Sequence, residues 1–416
     1  MPSDEVAIIG AGLAGLSLAL ALHQQGIKAK IYESRPAPLN IGGAVMLSPN
    51  ALKILDALDL YDHVRGRGYS FDLLEWVKVT GEVIERYEFG GVEKYGYRAN
   101  RCYRYELIDV LLSKIRQLGI TVEFGQKYVR VVEETDDQVI WESHDGARRT
   151  ASFLVGADGI HSSVRRYLYP DLEPRFIGMA GITAVAPASK VTYSYGTIDK
   201  PLTVMSEDKG AFVIAPQRPD ASEMFFGKQK RVEEKDRAGW EEFMSNKADL
   251  IKFLQEDAGA FGEVAVTATA NIIPEKVNVW PFYVIPPLER WASAIHRVVI
   301  LGDAAHAIPP SAGQGINQAF EDVYMFSLLL AASKTKGVDL ADALNFWQTY
   351  RQGRINKILE LNKQIDVRRL PKDKRPEDQT GAPDEQKEFD LQWLYEPDFR
   401  AEVEDWVRST KGSKVA

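Results

Sequence analysis

A glycine-rich run near the N-terminus has the spacing of a phosphate-binding turn. It reads Gly10-Ala11-Gly12-Leu13-Ala14-Gly15. Gly10 permits a tight turn, Gly12 lets the backbone approach a pyrophosphate, and Gly15 lets the following helix pack closely on the preceding strand. The N–H groups at the start of that helix have no acceptor within the helix, so they can face a diphosphate.

An acidic residue closes the second strand of the same unit. The segments Val6–Ile9 and 27–32 are apolar strands, and they flank a helix predicted over 13–25. Glu33 follows the second strand, where its carboxylate can accept hydrogen bonds from an adenosine ribose and would repel a 2′-phosphate. Glycine-rich turns occur in other α/β proteins, but the strand, the helix and the acid together favour dinucleotide binding. This motif alone does not separate FAD from NAD.

Two later polar segments also follow apolar strands. The first comes after the strand 153–155 and reads Gly156-Ala157-Asp158-Gly159-Ile160-His161-Ser162-Ser163-Val164-Arg165. The second comes after the strand 298–301 and contains Gly302-Asp303-Ala304-Ala305-His306 and Pro309-Pro310-Ser311-Ala312-Gly313-Gln314-Gly315-Ile316-Asn317. Asp303 therefore stands at a strand end, where open α/β sheets bind ligands, and Gly315 begins a long helix predicted over 315–332.

Together these motifs resemble those of the single-component, group A flavin monooxygenases, the superfamily of para-hydroxybenzoate and salicylate hydroxylases. The resemblance covers most of residues 5–365, in three separated motifs that follow the family's order. Arg104, within Tyr103-Arg104-Tyr105-Glu106-Leu107, matches the family's FAD-contacting arginine. The resemblance implies non-covalently bound FAD, NAD(P)H as a transient co-substrate, and O₂. It also implies hydroxylation of a small aromatic or polycyclic substrate through a flavin hydroperoxide.

The resemblance further implies roles for individual residues. The cofactor-binding residues would be Gly10, Gly12, Leu13, Ala14, Gly15, Glu33, Gly43, Ala44, Arg104, Asp158, Asp303, Gly315, Ile316 and Asn317. Arg104 would lie against the ribityl-diphosphate region, Asp303 would hold a ribityl hydroxyl, and Gly43 with Ala44 would pass the isoalloxazine. Asp158 would belong to the motif shared between FAD and the nicotinamide. The helix that begins at Gly315 would stabilise the negative charge of reduced flavin.

We predict an α/β fold with a Rossmann-type FAD-binding domain built on a parallel sheet, an inserted, mostly antiparallel β-sheet substrate domain, and C-terminal helices. The FAD-binding domain is discontinuous and comprises residues 1–70, 98–175 and 285–365. The substrate domain comprises residues 71–97 and 176–284, with one helical insertion at 238–255. The C-terminal segment 366–416 contains a charged, proline-containing linker at 370–386.

Composition limits the classes of partner. The net charge of −8 argues against a nucleic-acid surface. The single cysteine, Cys102, fits a reducing compartment, and the first residues have no basic region of a signal peptide. No apolar stretch is long enough for an integral membrane segment, and the six histidines show no metal-ligand spacing. We therefore expect a cytoplasmic enzyme without a metal.

Several other residues allow two interpretations. His306 is expected to be a hydrogen-bonded structural histidine rather than a catalytic base, and Pro310 either presents its carbonyl to the substrate or only rigidifies a turn. Arg218 is expected to be a solvated turn arginine rather than an anion partner for a substrate. Most of a group of aromatic residues are expected in the core, with one or two over the flavin: Trp280, Trp291, Phe212, Phe225 and Phe226.

Alternatives to the leading interpretation stay open at this point. Some relatives that bind phenolate or urate carry an arginine early in the substrate domain, but residues 176–217 contain none, and the comparable strand reads Gly181-Ile182-Thr183-Ala184-Val185-Ala186. This difference weakens the case for an anionic aromatic substrate and leaves room for a tetracycline-inactivating type of monooxygenase. An FAD-dependent reductase or dehydrogenase is a second class. A non-catalytic binding protein of the prenyl-protein escort type is a third.

Overall fold

The computed structural model describes residues 4–38, 43–368 and 390–413. Its strands, numbered in chain order, are β1 (Val6–Ile9), β2 (Ala29–Glu33), β3 (Ala44–Leu47), β4 (Tyr69–Phe71), β5 (Leu73–Lys78), β6 (Val83–Glu88), β7 (Ala99–Tyr103), β8 (Thr121–Phe124), β9 (Tyr128–Glu134), β10 (Val139–Ser143), β11 (Arg148–Ala151), β12 (Phe153–Gly156), β13 (Arg175–Pro187), β14 (Leu202–Ser206), β15 (Gly210–Pro216), β16 (Glu223–Arg231), β17 (Asn278–Val284) and β18 (Val298–Ile300).

The α-helices are α1 (Leu13–Gln24), α2 (Pro49–Ala57), α3 (Tyr61–Arg65), α4 (Val92–Tyr95), α5 (Arg104–Gln117), α6 (Arg165–Leu168), α7 (Arg237–Ser245), α8 (Lys247–Gln255), α9 (Glu263–Ala270), α10 (Asp303–His306), α11 (Gly315–Lys336), α12 (Leu340–Arg368), α13 (Gln392–Tyr395) and α14 (Phe399–Ser413). None of the helices in the described ranges is long and apolar enough to cross a bilayer.

A five-stranded parallel sheet forms the centre of the first layer, in the order β18-β12-β1-β2-β8. The β-strands β1, β12 and β18 are buried on both faces, as parallel strands covered by helices are. Their last residues are in register, because Ile9 pairs with Gly156 and Gly156 pairs with Ile300. The three motifs that follow these strands therefore begin side by side at one edge of the sheet, and the predicted Rossmann-type fold is confirmed.

A seven-stranded, mostly antiparallel sheet forms a second layer, in the order β17-β13-β16-β15-β14-β5-β6. One face packs on helices α7, α8 and α9 in an apolar core that includes Ile182, Phe212 and Phe226. The predicted helical insertion is thus present, but it has a third helix, α9, beyond its expected end. The strands β5 and β6 come from the range 71–97 and extend this sheet beside β14. The domain boundaries themselves stay a prediction.

A small three-stranded sheet, in the order β3-β7-β4, lies between the two larger layers. Val45, Leu47 and Cys102 point into the core of the parallel-sheet layer. Met46 pairs with Arg101 across β3 and β7, and because side chains alternate along a strand, this pair lies on the opposite face. That face contacts the seven-stranded sheet, so the small sheet joins the two layers.

Buried ionic groups connect the long helices α11 and α12. The carboxylates of Glu321 and Asp322, on α11, are fully buried, and Arg351 on α12 forms ion pairs with both. Burial alone would raise the pKa of Asp322, but its interactions with His306 and with the guanidinium of Arg351 outweigh this effect and lower that pKa. Glu321 also pairs with Arg354 at 2.6 Å and accepts a hydrogen bond from Asn50 Nδ2 at 2.6 Å.

The C-terminal segment packs onto these helices. Arg354 Nη1 donates to the carbonyl of Trp393 at 2.7 Å, which fixes α13 against α12. From α14, Phe399, Val403 and Val407 are buried in the same core as α11. The predicted linker at 370–386 lies outside the described residues. The predicted C-terminal helices are present.

The buried ion pairs give a prediction about stability. Glu321→Gln leaves Arg351 and Arg354 buried without a full countercharge, so we expect a loss of about 3–5 kcal/mol in the free energy of unfolding. The matched control is Glu360→Gln on α12, since Glu360 is exposed and its pairing with Lys363 is worth at most about 1 kcal/mol. Urea unfolding followed by circular dichroism compares the two variants. Equal midpoints for both would contradict a structural role of the buried pairs.

Candidate active site

The glycine-rich turn between β1 and α1 brings two of the motifs into contact. Gly10 has a φ of +107°, and a Cβ there would lie 2.6 Å from the carbonyl oxygen of Ala157. A Cβ on Gly15 would lie 1.9 Å from the carbonyl oxygen of Gly10, so the close packing predicted for Gly15 is present. A Cβ on Gly12 would meet no atom within 4 Å. The turn is therefore tight at both ends and open at Gly12, where a pyrophosphate is expected.

Glu33 stabilises this turn directly. Its Oε2 accepts a hydrogen bond from Ala11 N at 2.8 Å, and its Oε1 accepts one from Arg35 N at 2.8 Å. A carboxylate has about four acceptor positions, so capacity remains for the hydroxyls of a ribose. The sequence indicated the ribose role but not the contact with Ala11, because that contact depends on the pairing of β1 with β2.

The third motif lies against the first. A Cβ on Gly302, which has a φ of +61°, would lie 3.6 Å from the Cβ of Ala14 and 3.3 Å from the Cβ of Ala319. Asp303 follows as the first residue of α10, and its side chain is exposed. The starts of α1, α10 and α11 therefore surround one cleft, which includes Leu13 and Ala14 from α1.

Arg104 faces this cleft from the start of α5. Its backbone N–H donates a hydrogen bond to the carbonyl of Gly43 at 3.0 Å, and its guanidinium lies 5.0 Å from the centre of the Trp280 ring. Burial lowers the pKa of Arg104, and the carboxylate of Asp303 opposes this shift. Within the described ranges the guanidinium has no hydrogen bond to protein. It is therefore available for the phosphates or hydroxyls of a ligand.

Asp158 has a local structural contact. One carboxylate oxygen accepts hydrogen bonds from Ser163 N at 2.7 Å and Val164 N at 3.2 Å, which closes the turn before α6. Burial raises the pKa of Asp158, and hydrogen bonds to its charged form oppose that shift. Asp158 lies next to Ala157, which contacts the glycine-rich turn. Its part in nicotinamide binding stays a prediction.

The first turn of α11 forms one wall of the cleft. A Cβ on Gly315 would meet no atom within 4 Å, and the N–H groups of Gly315 and Ile316 stand where a helix has no internal acceptors. The Asn317 side chain is occupied by protein: it accepts from Ser48 N at 3.1 Å and donates to the carbonyls of Met46 and Gly313. Asn317 therefore fixes β3, with Ala44, beside the helix start, and only its backbone is free for a cofactor.

Pro310 begins a 3₁₀ turn, Pro310–Ala312, ahead of α11. Its carbonyl accepts a hydrogen bond from Gly313 N at 2.9 Å, which uses one of two lone pairs. The neighbouring carbonyl of Pro309 accepts from Asn362 Nδ2 at 3.2 Å. The prolines thus hold the turn in place, and contact of the Pro310 carbonyl with a substrate stays a prediction.

His306 has the structural role that the sequence favoured. It is buried, and its Nε2 lies 2.5 Å from Asp322 Oδ2, the same oxygen that accepts Gly302 N at 2.9 Å. Its ring contacts Trp291, with 5.0 Å between the ring centres. His306 and Asp322 therefore fix the loop that carries Asp303.

The face of the seven-stranded sheet opposite its core lines the second half of the cleft. Phe225 and Gln217 lie on this face, together with Trp280, which is 49% exposed. Trp291, Phe212 and Phe226 are fully buried, so the expectation that most of these aromatic residues pack in a core is confirmed. Arg218 lies in a turn with its side chain 35% exposed, as expected, and it also forms ion pairs with Glu106 and Glu223.

Arg101 is the residue of this cleft that sequence reasoning missed. It lies on β7, it is 5% exposed, and its Nε donates to Gln217 Oε1 at 2.9 Å. Its guanidinium lies 4.6 Å from the centre of the Phe225 ring. Burial lowers the pKa of Arg101 to about 10, so it remains a cation at neutral pH. The alternation along β7 could have indicated the direction of the Arg101 side chain, but not its distant partners, Gln217 directly after β15 and Phe225 on β16.

These features fit a long dinucleotide. Gly12 leaves room for a diphosphate, Glu33 has acceptors for a ribose, and Arg104 with Asp303 offers a cation and an anion for the middle of the ligand. The start of α11 lies beyond them, where a helix N-terminus favours negative charge. The fold and the cleft define a Rossmann-type flavoprotein.

Comparisons with known proteins agree with this class. Residues 3–360 match the family model described as an FAD binding domain. The chain is 32% identical over 328 residues to 3-amino-4-hydroxybenzoate 2-monooxygenase from Streptomyces cremeus, covering 76% of each chain. It is 26% identical over 370 residues to 6-hydroxynicotinate 3-monooxygenase from Pseudomonas fluorescens, covering 86% of this chain and 90% of that one.

A solved structure has a similar fold. The crystal structure of Klebsiella pneumoniae HpxO with FAD and uric acid aligns with a TM-score of 0.74 at 23% identity, covering 88% of each chain. This likeness shows the fold. On the family model and the relatives, the chain belongs to the group A FAD-dependent monooxygenases of the para-hydroxybenzoate hydroxylase-like superfamily. It is an oxidoreductase that uses FAD, with NAD(P)H as co-substrate.

Two glycines of the same turn should respond differently to substitution. Gly12 has an extended backbone (φ −79°, ψ −175°), and a Cβ there would contact no protein atom. Gly12→Ala should therefore leave the stability of the apoprotein unchanged and weaken FAD binding by obstructing the diphosphate. Gly15→Ala places a methyl group 1.9 Å from a carbonyl oxygen, so it should destabilise the apoprotein itself. Thermal unfolding of apoprotein and FAD titration separate the two effects. An apoprotein of Gly12→Ala that binds FAD as the wild type does would contradict the diphosphate site.

Proposed function

We propose that the substrate is a small, planar hydroxylated aromatic compound, bound between the three-stranded sheet and the seven-stranded sheet. The observation that carries this proposal is that these sheets meet at Arg101, Gln217 and Phe225, close to the Gly313 turn that precedes α11. A Cβ on Gly313 would lie 3.0 Å from Met46 Cε, and Met46 pairs with Arg101. The names of two relatives, a hydroxybenzoate and a hydroxynicotinate monooxygenase, support the same class of substrate.

The far wall of the cleft is built from small side chains around one aromatic ring. Along one row of the seven-stranded sheet, Phe225 pairs with Val185 and with Ala215. In the next row Thr183 pairs with Gly227. Val185 and Ala215 are fully buried, whereas the Phe225 ring is partly exposed and offers a flat apolar surface. Such a wall fits a planar ring of limited size.

The protein's own residues position the reactants and set the charge around them. FAD, when bound, supplies the transfer of electrons from NAD(P)H and the activation of O₂. The first turn of α11 directs its N–H groups and positive dipole end into the cleft, where they stabilise negative charge. Asn317 fixes β3 against this turn, and Trp280 covers the guanidinium of Arg104. These contacts hold the substrate-binding wall and the cofactor-binding wall at a constant separation.

Oxygen consumption distinguishes this function from that of a reductase on the same scaffold. The holoenzyme is incubated with NADH or NADPH and a panel of hydroxylated aromatic compounds, with tetracycline included for the tetracycline-inactivating alternative. We expect one or more of the small aromatic compounds to accelerate NAD(P)H oxidation and O₂ uptake together. Acceleration under anaerobic conditions with turnover of the compound would favour a reductase, and acceleration by tetracycline alone would overturn the proposed size of the substrate.

The start of α11 gives a prediction about the flavin's reduction potential. Gly315→Val projects bulk into open space at the helix N-terminus, so it should separate the flavin from the N–H groups. We expect the midpoint potential to fall by about 10–40 mV, the equivalent of a partly lost helix-dipole interaction, and reduction by NAD(P)H to slow. The matched control is Gly353→Val, at an exposed glycine of α12 with equally open surroundings. Spectroelectrochemical titration of the two FAD-loaded variants compares their midpoint potentials. An unchanged potential in Gly315→Val would exclude the electrostatic role.

A further inference from the structure

Arg101 is a buried cation without a countercharge. It is 5% exposed, and no carboxylate of the described residues forms an ion pair with it. Its Nε donates to Gln217 Oε1 at 2.9 Å, but Nη1 and Nη2 have no hydrogen-bond partner within the described ranges. A buried, unpaired charge is costly in free energy, so buried arginines are normally paired. Arg354 and Arg351, with their carboxylates, show the usual arrangement in this protein.

Gln217 adds an independent observation at the same place. It is 0% exposed, and its Nε2 is buried without a hydrogen-bond partner. The amide cannot be turned over to satisfy this group, because Arg101 Nε–H needs the amide oxygen as its acceptor. The unsatisfied groups of Arg101 and Gln217 are therefore all hydrogen-bond donors. An occupant with acceptor oxygens, and with a negative charge, would satisfy both.

We infer that Arg101 and Gln217 bind the anionic group of the substrate, a carboxylate or a comparable planar oxyanion. The planar fork of a guanidinium matches a carboxylate in two parallel hydrogen bonds, and Gln217 Nε2 adds a third donor. The Phe225 ring, 4.6 Å from the guanidinium, holds the fork in one plane. Because Arg101 lies on β7, this cation approaches from the small sheet. The stretch 181–186 of β13, where the sequence showed no arginine, is on the opposite wall.

This inference rests on the proposed function and narrows its substrate class to aromatic anions. The sequence had weakened the case for such substrates because the strand 181–186 lacks an arginine. The structure supplies the positive charge from a different strand. The charge of Arg101 and the donors of Arg101 and Gln217 would fix one end of the substrate's aromatic ring. The start of α11 lies beyond Met46 on the same side of the cleft.

The test uses the FAD-loaded protein with benzoate and its neutral isostere benzamide as probes. Binding is followed by the change in the flavin absorption spectrum and by thermal shift. We expect the wild type to bind benzoate more tightly than benzamide, and Arg101→Gln to weaken benzoate binding by about tenfold to a hundredfold, as expected for lost charge-assisted hydrogen bonds. Benzamide binding should change by a smaller factor than benzoate binding, about twofold to tenfold, the scale of one lost neutral hydrogen bond.

Two further variants keep the test decisive. Gln217→Glu supplies Arg101 with a carboxylate, so it should weaken benzoate binding at least about tenfold without removing the arginine. Arg98→Gln is the matched control, because Arg98 lies three residues earlier, is exposed and pairs with Asp72. It should leave the affinity for benzoate unchanged.

Other outcomes overturn the inference in distinguishable ways. Equal affinity of the wild type for benzoate and benzamide would show that the site does not select anions. A lower FAD content or a shifted flavin potential in Arg101→Gln, with benzoate affinity unchanged, would assign Arg101 to the cofactor instead. Neither result affects the proposed function, which fails separately if no aromatic compound accelerates NAD(P)H oxidation with O₂ uptake.

Discussion

The pairing of adjacent carboxylates on α11 with two arginines on α12 is the interaction on which the rest of the structure depends. Asp322 binds His306 and Gly302 N, so it fixes the loop that carries Asp303. Glu321 binds Asn50 and Arg354, and Arg354 holds α13. Because the charges are buried and mutually compensated, α11 is held at one position. Its first turn then forms a stable wall of the cleft, where the cofactor of this family is expected.

The two walls of the cleft offer different chemical groups. The wall formed by the parallel sheet and the starts of α1, α10 and α11 offers backbone N–H groups and the exposed Asp303. The wall formed by the seven-stranded sheet offers small side chains and the rings of Phe225 and Trp280. Arg104 and Arg101, which lie three positions apart around the end of β7, each stack on one of these rings. The end of β7 and the start of α5 therefore place both cations against the wall formed by the seven-stranded sheet.

Much of the cofactor-binding layer could be predicted from sequence because its signals are local. Gly10, Gly12 and Gly15 have the spacing of one turn, and the strand-to-helix transitions at Asp158 and Asp303 are short. The interactions across the cleft could not be predicted in the same way. Arg101 contacts Gln217 through a hydrogen bond that spans 116 positions, and Glu321 contacts Asn50 across 271. Such contacts depend on the relative placement of whole sheets, which periodicity does not encode.

The central claim is that this chain inserts one atom of O₂ into an aromatic substrate. The most direct measurement uses the compound that most strongly accelerates NAD(P)H oxidation, incubated with the holoenzyme under ¹⁸O₂, with mass spectrometry of the product. We expect a product that carries a single oxygen-18 atom, and an unlabelled product when the label is supplied as water. A product that contains no oxygen from O₂, formed at the same rate as NAD(P)H is consumed, would contradict it.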